Sequence, residues 1–534
     1  MTGRKNPTIL HPRRKTMTTG IRARIFIFVV FTIFSVFSQT HGEVLLRVGM
    51  DSSDAGQLDP HLTSKTPDMA LLQWMFNGLT RFKPGSMDPA TIESDIAEKW
   101  TFSPDGRIWT FTLRKGIKFH GGYGELTADD VVYSLERARN PKISAFSSDF
   151  KEFKAIEALD SSTVRITLSS PVPFVIGLVS NYHGGMIVSK KAVEKLGENF
   201  KMNPIGTGPF MFEEYKSKQY VSLKAHRDYF RGAPKIDRIV YRYIPSLSSR
   251  ELAFRSGEID LIYGEREQRW VERMRGLKDT VVDVFRPGEH RSLHLNTTIK
   301  PFDDLRVRKA VAYAMNRDEI VQFLGKDVSE AAYSVVPNGY LGQTVEGIPQ
   351  YEYNPEKARA LLKEAGFPNG FSTKVMNTNL DPLLKPMQII QEQLRKVGIQ
   401  VELEVMEHAT WHAQIRKDLS SMVHYGAARF PVADSYLTQF YHSKSIIGTP
   451  TAVTNFSHTK DVDQEIDAAR SEPNPKKQLE LWKIVQQKIM AECTAIPVFE
   501  LKQVWARKAN LDYGHPLTGS LNLGPVINET TRFK

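Results

Sequence analysis

At 534 residues the chain exceeds what one hydrophobic core supports, since cores stop growing at about 250–300 residues and longer chains divide. Its 41% hydrophobic and 25% charged content is that of a folded soluble protein, which argues against both a disordered chain and a polytopic membrane protein. Nor does the net charge of +11 describe a nucleic-acid surface: Arg4, Lys5, Arg13, Arg14, Lys15, Arg22 and Arg24 lie in residues 1–42, which hold no acidic residue, and the other 492 residues carry only +4.

That first segment has the parts of a secretory signal. Basic residues end at Arg24, an apolar run follows from Ile25 to Phe37, and small residues stand one and three places before Glu43, which predicts cleavage after Gly42. Thirteen apolar residues fall short of the roughly 20 that span a bilayer. Met17 also suits as a start, because Arg22 and Arg24 alone make a positive region. The single cysteine, Cys493, excludes an internal disulfide, and no cysteine follows the apolar run to carry a lipid. A freely diffusing exported protein is expected, and a periplasm retains such a protein best.

Strand and helix signals alternate from about residue 44 onward, as in an α/β chain. Trp109, Phe111 and Leu113 alternate with polar residues, as do Val164, Ile166 and Leu168, each set facing one side of a strand. Between them, Thr127 with Asp130 three places on predicts a capped helix over Val131 to Arg139. Gly206 and Gly208 are expected at turns that other residues resist. Val307, Val311 and Ala314 form an apolar stripe on a helix after Asp303-Asp304. Asn354-Pro355 caps a helix running to Ala365 and stopped by Gly366. A helix from Leu383 to Val397, then Gly398, leads into a strand carrying Ile399, Val401, Leu403 and Val405. No tandem repeat and no Gly/Ser linker occurs, so the expected domains are joined by strands.

In order, LDPHL (58–62), SPDGRIWTFTLRKGIKFHGG (103–122), LTADDVVYSL (126–135), NPIGTGPF (203–210), FRSGEIDLIYG (254–264), LHLNT (293–297), PFDDLRVRKAVAYAMNRDEIV (301–321) and YNPEKARALLKEAGF (353–367) resemble the extracellular solute-binding proteins of the peptide/nickel/opine class. These are the dipeptide- and oligopeptide-binding type of ABC importer receptor. The resemblance implies a two-lobed periplasmic binding protein with an extra subdomain in the first lobe and hinge closure on ligand. Mapped here, residues 43–83 and 205–295 form lobe one, 84–204 the extra subdomain, 296–497 lobe two, and 498–534 the return to lobe one. The crossings fall near 293–297 and 496–501. It implies a small-molecule or peptide ligand, an ABC permease in the inner membrane as partner, no nucleic acid, and a monomer. A periplasmic chaperone or sensor-associated binding protein is the alternative.

By the same resemblance, ligand contacts fall after LDPHL, at Thr63, Ser64, Thr66 and Met69, on an inward loop with Tyr182 and His183, and in lobe two around Tyr425. Peptide-binding members carry an acidic residue in that last loop for the peptide's ammonium; this chain has Arg429. A guanidinium in a closed cleft suits a carboxylate or phosphate, so an opine, a sugar phosphate or an anionic metal chelate is the expected ligand, unless Arg429 pairs with a neighbour such as Asp434. Tyr425 offers either a stacking wall or core packing. His408 and His412 stand at i, i+4 without a third ligand in view, so no metal site is assigned. No nucleophile elbow, phosphate loop or dinucleotide fingerprint occurs, Cys493 has no nearby histidine, and neither an enzymatic activity nor a cofactor is expected.

Overall fold

The computed structural model describes residues 42–427, 431–448 and 454–534. The expected secretory segment, up to residue 41, and Arg429 lie outside these residues. Glu43–Lys534 clusters as one unit built on a mixed nine-stranded sheet. Strand Leu45–Met50 sits inside this sheet, parallel to Arg238–Tyr243 on one side and to Leu261–Tyr263 on the other. The hairpin Phe210–Lys216 and Tyr220–Ala225 extends the first side.

On the other side, two long strands carry the sheet onward. Thr280–Leu295 and Ala495–Lys508 run antiparallel, and beyond them pair Met422–Ala427 and Ser329–Ala331. The ladder between the long strands breaks register between Phe285 and Glu289, at Arg286-Pro287-Gly288, where an extra stretch of chain stands opposite Leu501 to Gln503. This break lies upstream of 293–297, whose first residues remain paired strand. Leu293 and Leu295, on one face of the strand, are core residues, whereas proline and glycine cannot hold a regular ladder at 287–288.

Three apolar cores accompany this path. One contains Leu46, Val48, Trp74, Tyr241 and Trp505 under lobe one. A second, with Phe111, Leu135 and Ile166, lies between a four-stranded antiparallel sheet and the helix Ala128–Arg139. That sheet, Ala97–Phe102, Ile108–Leu113, Thr163–Leu168 and Phe153–Asp160, falls inside residues 84–204. The helix forms where Thr127 and Asp130 cap it, the Thr127 N–H donating to Asp130 Oδ2 at 3.1 Å, and Val131, Ser134, Leu135 and Ala138 make its buried stripe. The third core gathers around Val307, Trp411, Trp482 and Phe499 and extends to Phe254 and Trp270. There Asp304 caps Leu305–Ala314, Asn354 caps Pro355–Glu364, and the parallel pair Phe371–Thr378 and Ile399–Met406 is bridged by the helix Asp381–Arg395.

Gly206 and Gly208 are glycines for a different reason from the expected turn. Neither has a left-handed φ; a Cβ at Gly206 would come 2.2 Å from the Met75 carbonyl oxygen, and one at Gly208 would come 2.5 Å from Met75 C. Close approach of two backbones, sealed by Gly208 N–H donating to Met75 O at 2.9 Å, ties this segment to lobe one.

Candidate functional site

Between these bodies lies a cavity of about 980 Å³. Its walls come from four places: the loop and helix start at Ser64, Thr66 and Met69; the subdomain at Phe146, Asp149, Lys151, Glu152, Tyr182 and His183; the long strand with Arg266 beside it; and lobe two from His408 to Arg470. Among the described lining residues the cations Lys151, Arg266, Arg291 and Arg470 face the carboxylates Asp149, Glu152, Glu289 and Asp434.

The first wall is set by LDPHL without being made of it. Asp59 is buried and takes the Arg137 guanidinium, with Nη1 at 2.7 Å from Oδ1. Arg137 Nη1 also donates to His61 Nδ1 at 2.9 Å, so the other ring nitrogen carries the hydrogen and donates to the Met186 carbonyl at 3.0 Å. Burial lowers the His61 pKa to about 4, with Asp59 opposing and Arg137 assisting. Thr63 does not line the cavity. Its hydroxyl donates to Asp68 Oδ2 at 3.0 Å, and Asp68 also accepts the N–H groups of Gly56 and Gln57, so Thr63 braces the loop that presents Ser64 and Thr66.

On the subdomain wall Tyr182 and His183 lie against one another, ring centroids 3.5 Å apart, and His183 stacks on Phe146 at 4.2 Å. Opposite them Tyr425 lines the cavity from lobe two while packing against Trp411 at 6.0 Å and Phe456 at 5.1 Å, so the tyrosine serves both as wall and as core. Trp411 is held by its Nε1–H on the Met376 carbonyl at 3.1 Å. His408 and His412 also line the cavity, on the helix His408–Gln414, with rings 4.5 Å apart. Burial, then His408, Arg416 and Arg291, push the His412 imidazole down to about 4. Among the described residues no group of three or more metal-ligating side chains occurs.

Asp434 pairs with Arg470, Nε to Oδ2 at 3.3 Å, and its Oδ1 is buried without a hydrogen bond. Burial raises the Asp434 pKa against Arg470 and Lys151. Lys151 lies on the facing subdomain wall, and there Glu152, held below its ordinary pKa first by Ser169, is lowered further by Arg470. Opposite charges therefore face one another across the cavity.

Sequence reasoning missed Glu289 and Arg291 on the long strand, Arg266 beside it, and Trp411 and Arg470 in the wall opposite. Glu289 stands just past the register break and accepts Arg266 Nη1 at 2.9 Å through Oε1 and Arg291 through Oε2. Burial raises its pKa, but Arg266 and Arg291 overcome that and hold it at about 2. A partial signal was present: Glu289, His290 and Arg291 are three consecutive ionisable residues on a strand that continues into the buried Leu293 and Leu295. Trp411 and Arg470 had no such signal.

Comparison with known proteins places this geometry. A model of the bacterial extracellular solute-binding proteins, family 5 Middle, matches residues 91–447. The solved structure of MoaA from A.tumefacien R10 in complex with mannopinic acid is 46% identical, covering 92% of this chain and 100% of that one, with a TM-score of 0.79. DppA from Helicobacter pylori, in complex with peptide STSA, is 28% identical over 92% of this chain and 98% of its own, with a TM-score of 0.74. The glutathione-binding protein GsiB of Salmonella choleraesuis (strain SC-B67) is 30% identical over 484 residues, 88% of this chain and 91% of that protein.

Proposed function

This chain belongs to the bacterial extracellular solute-binding proteins of family 5, solute receptors of ABC importers, and on that premise we propose that its ligand is a small carboxylate-bearing solute of the opine kind, bound between the lobes. The observation that carries the reading is the cavity itself, whose walls are shared between lobe one with its subdomain and lobe two, across strands whose ladder breaks at 286–288. A solute touching both walls makes its full set of contacts only when they approach, so it favours the closed form by its differential affinity. The charges of Lys151 and Glu152 against Asp434 and Arg470 favour the same approach. The opine class is supported by the similarity to the mannopinic-acid complex and by two arginines in the cavity around a single carboxylate. The matched relatives are binding proteins, and the reading involves no covalent step.

The protein acts in the periplasm as a monomer and hands the closed form to its permease. No helix among the described residues is long and apolar enough to cross a membrane. The test is isothermal titration of residues 43–534, exported to a periplasm and purified without refolding, against mannopinic acid, glutathione and the peptide STSA. Micromolar or tighter binding of mannopinic acid, with a smaller radius of gyration by X-ray scattering, is the expected result. Binding of the peptide or glutathione alone would replace the opine reading, and an unchanged radius on saturation would remove closure.

A further inference from the structure

We propose that Arg291, assisted by Arg266, is the subsite that takes the ligand's carboxylate, and that Glu289 occupies these two guanidiniums until the ligand arrives. The inference rests on the reading of the interlobe cavity as the solute site.

The placement of Arg291 is specific. In the antiparallel register it stands opposite Gly426, and a Cβ built on Gly426 would lie 2.5 Å from Arg291 Cδ and 2.1 Å from the His290 carbonyl oxygen. The aliphatic stem of Arg291 therefore lies across the bare backbone of Gly426, and the missing side chain in the pair Tyr425-Gly426 is what admits it. Its charge reaches the lobe-two wall, where it helps depress both His412 and His424. Arg266 approaches the same carboxylate from the loop after strand Leu261–Tyr263, on the lobe-one side of the register break. The two guanidiniums thus reach Glu289 from opposite sides of the register break.

The charge count selects the ligand class. Among the four cations and four carboxylates that line the cavity, Arg266 and Arg291 against Glu289 form a local group with one positive charge in excess, which suits one anionic group. Each arginine has five N–H donors, and among the described residues the side-chain hydrogen bond each makes goes to Glu289. Both residues line the cavity, and a guanidinium presents its N–H donors in the fork geometry that carboxylates accept in pairs. An ammonium group placed beside these two arginines would meet that local positive charge and be repelled.

Substituting Arg291 leaves Glu289 paired to Arg266, so Arg291→Met creates no unpaired buried charge and is expected to fold with an unchanged circular dichroism spectrum. Its affinity for mannopinic acid should fall about 10- to 100-fold, as loss of a charge-assisted bidentate contact implies. Glu289→Gln is expected to act in the opposite direction, tightening mannopinic acid several-fold, because it frees both guanidiniums; damage to the cavity cannot produce that gain. Arg291→Met with parental affinity, or Glu289→Gln that weakens binding, would overturn the subsite while leaving the receptor reading intact. A folded parent that binds neither mannopinic acid, glutathione nor peptide STSA would overturn the solute-site reading and this subsite together.

Discussion

Replacing His294 by phenylalanine should remove part of the protein's acid sensitivity. His294 lies on the strand Thr280–Leu295 with its ring near Phe440, Tyr441 and Phe456, at centroid distances of 5.8, 6.0 and 5.8 Å, and its Nδ1 is buried without a hydrogen bond. Burial, with a smaller push from His290, lowers its pKa to about 3. An imidazole in an unfolded chain titrates near ~6.5. The unfolded state therefore binds the proton first: stability is full above that value and is lost as pH falls from ~6.5 toward 3. At pH 5 this side chain costs the folded state about 2 kcal/mol, against a typical total of about 5–15.

Phenylalanine preserves the aromatic packing and cannot protonate. His294→Phe should change stability at pH 7.5 by less than about 1.5 kcal/mol, and should lose about 2 kcal/mol less than the parent between pH 7.5 and 5. Urea unfolding followed by tryptophan fluorescence at both pH values reads the difference. An identical acid loss in parent and variant would show that His294 is not held neutral by its surroundings. His424, also lowered to about 3 by burial and then Arg291, and His120, lowered to about 3 mainly by burial, should add to the parent's acid loss with the same sign.

Three other perturbations test the scaffold. Asp95→Asn removes the carboxylate that sits between Asn77 Nδ2 at 2.8 Å and Arg231 Nε at 3.1 Å, with Arg81 adding to its field, and should cost roughly 3–5 kcal/mol in urea unfolding; a loss under about 1 would mean the guanidiniums find water instead. Gly206→Ala drives a methyl into the Met75 carbonyl and should destabilise by on the order of 3 kcal/mol, visible as a lower melting temperature, where an unchanged one would show that the 206 segment is free to shift. Glu152→Gln should weaken ligand binding by up to about five-fold in low salt and by much less in 0.5 M salt, since an exposed cross-cleft pair contributes only about 0.2–1 kcal/mol and is screened. An effect that persists in high salt would assign Glu152 to direct ligand contact.

Elements were legible where their information is local. A capping residue and its partner lie three places apart at Thr127 and Asp130, a helix stripe repeats every three to four residues from Val131 to Ala138, and strand alternation repeats every two at Trp109, Phe111 and Leu113. The same locality explains LDPHL as a landmark and the misreading of Thr63. Sequence proximity placed its hydroxyl in the right loop, but which way it turns depends on Asp68, Gly56 and Gln57 holding one another. Gly206 shows a related limit: a glycine's sequence context suggests a turn, while only the neighbouring Met75 backbone reveals a close approach.

The α/β class and the ordered landmarks of the family could be read from the chain alone, as could the loops whose residues Ser64, Thr66, Met69, Tyr182, His183 and Tyr425 line one cavity. The charge arrangement inside that cavity could not. Arg291 meets Gly426 across 135 positions of sequence, Arg266 reaches Glu289 past a broken ladder, and Asp434 finds Arg470 on a separate helix. Such pairings arise from strand register and packing, which are settled by contacts between distant segments, and no short-range periodicity encodes them.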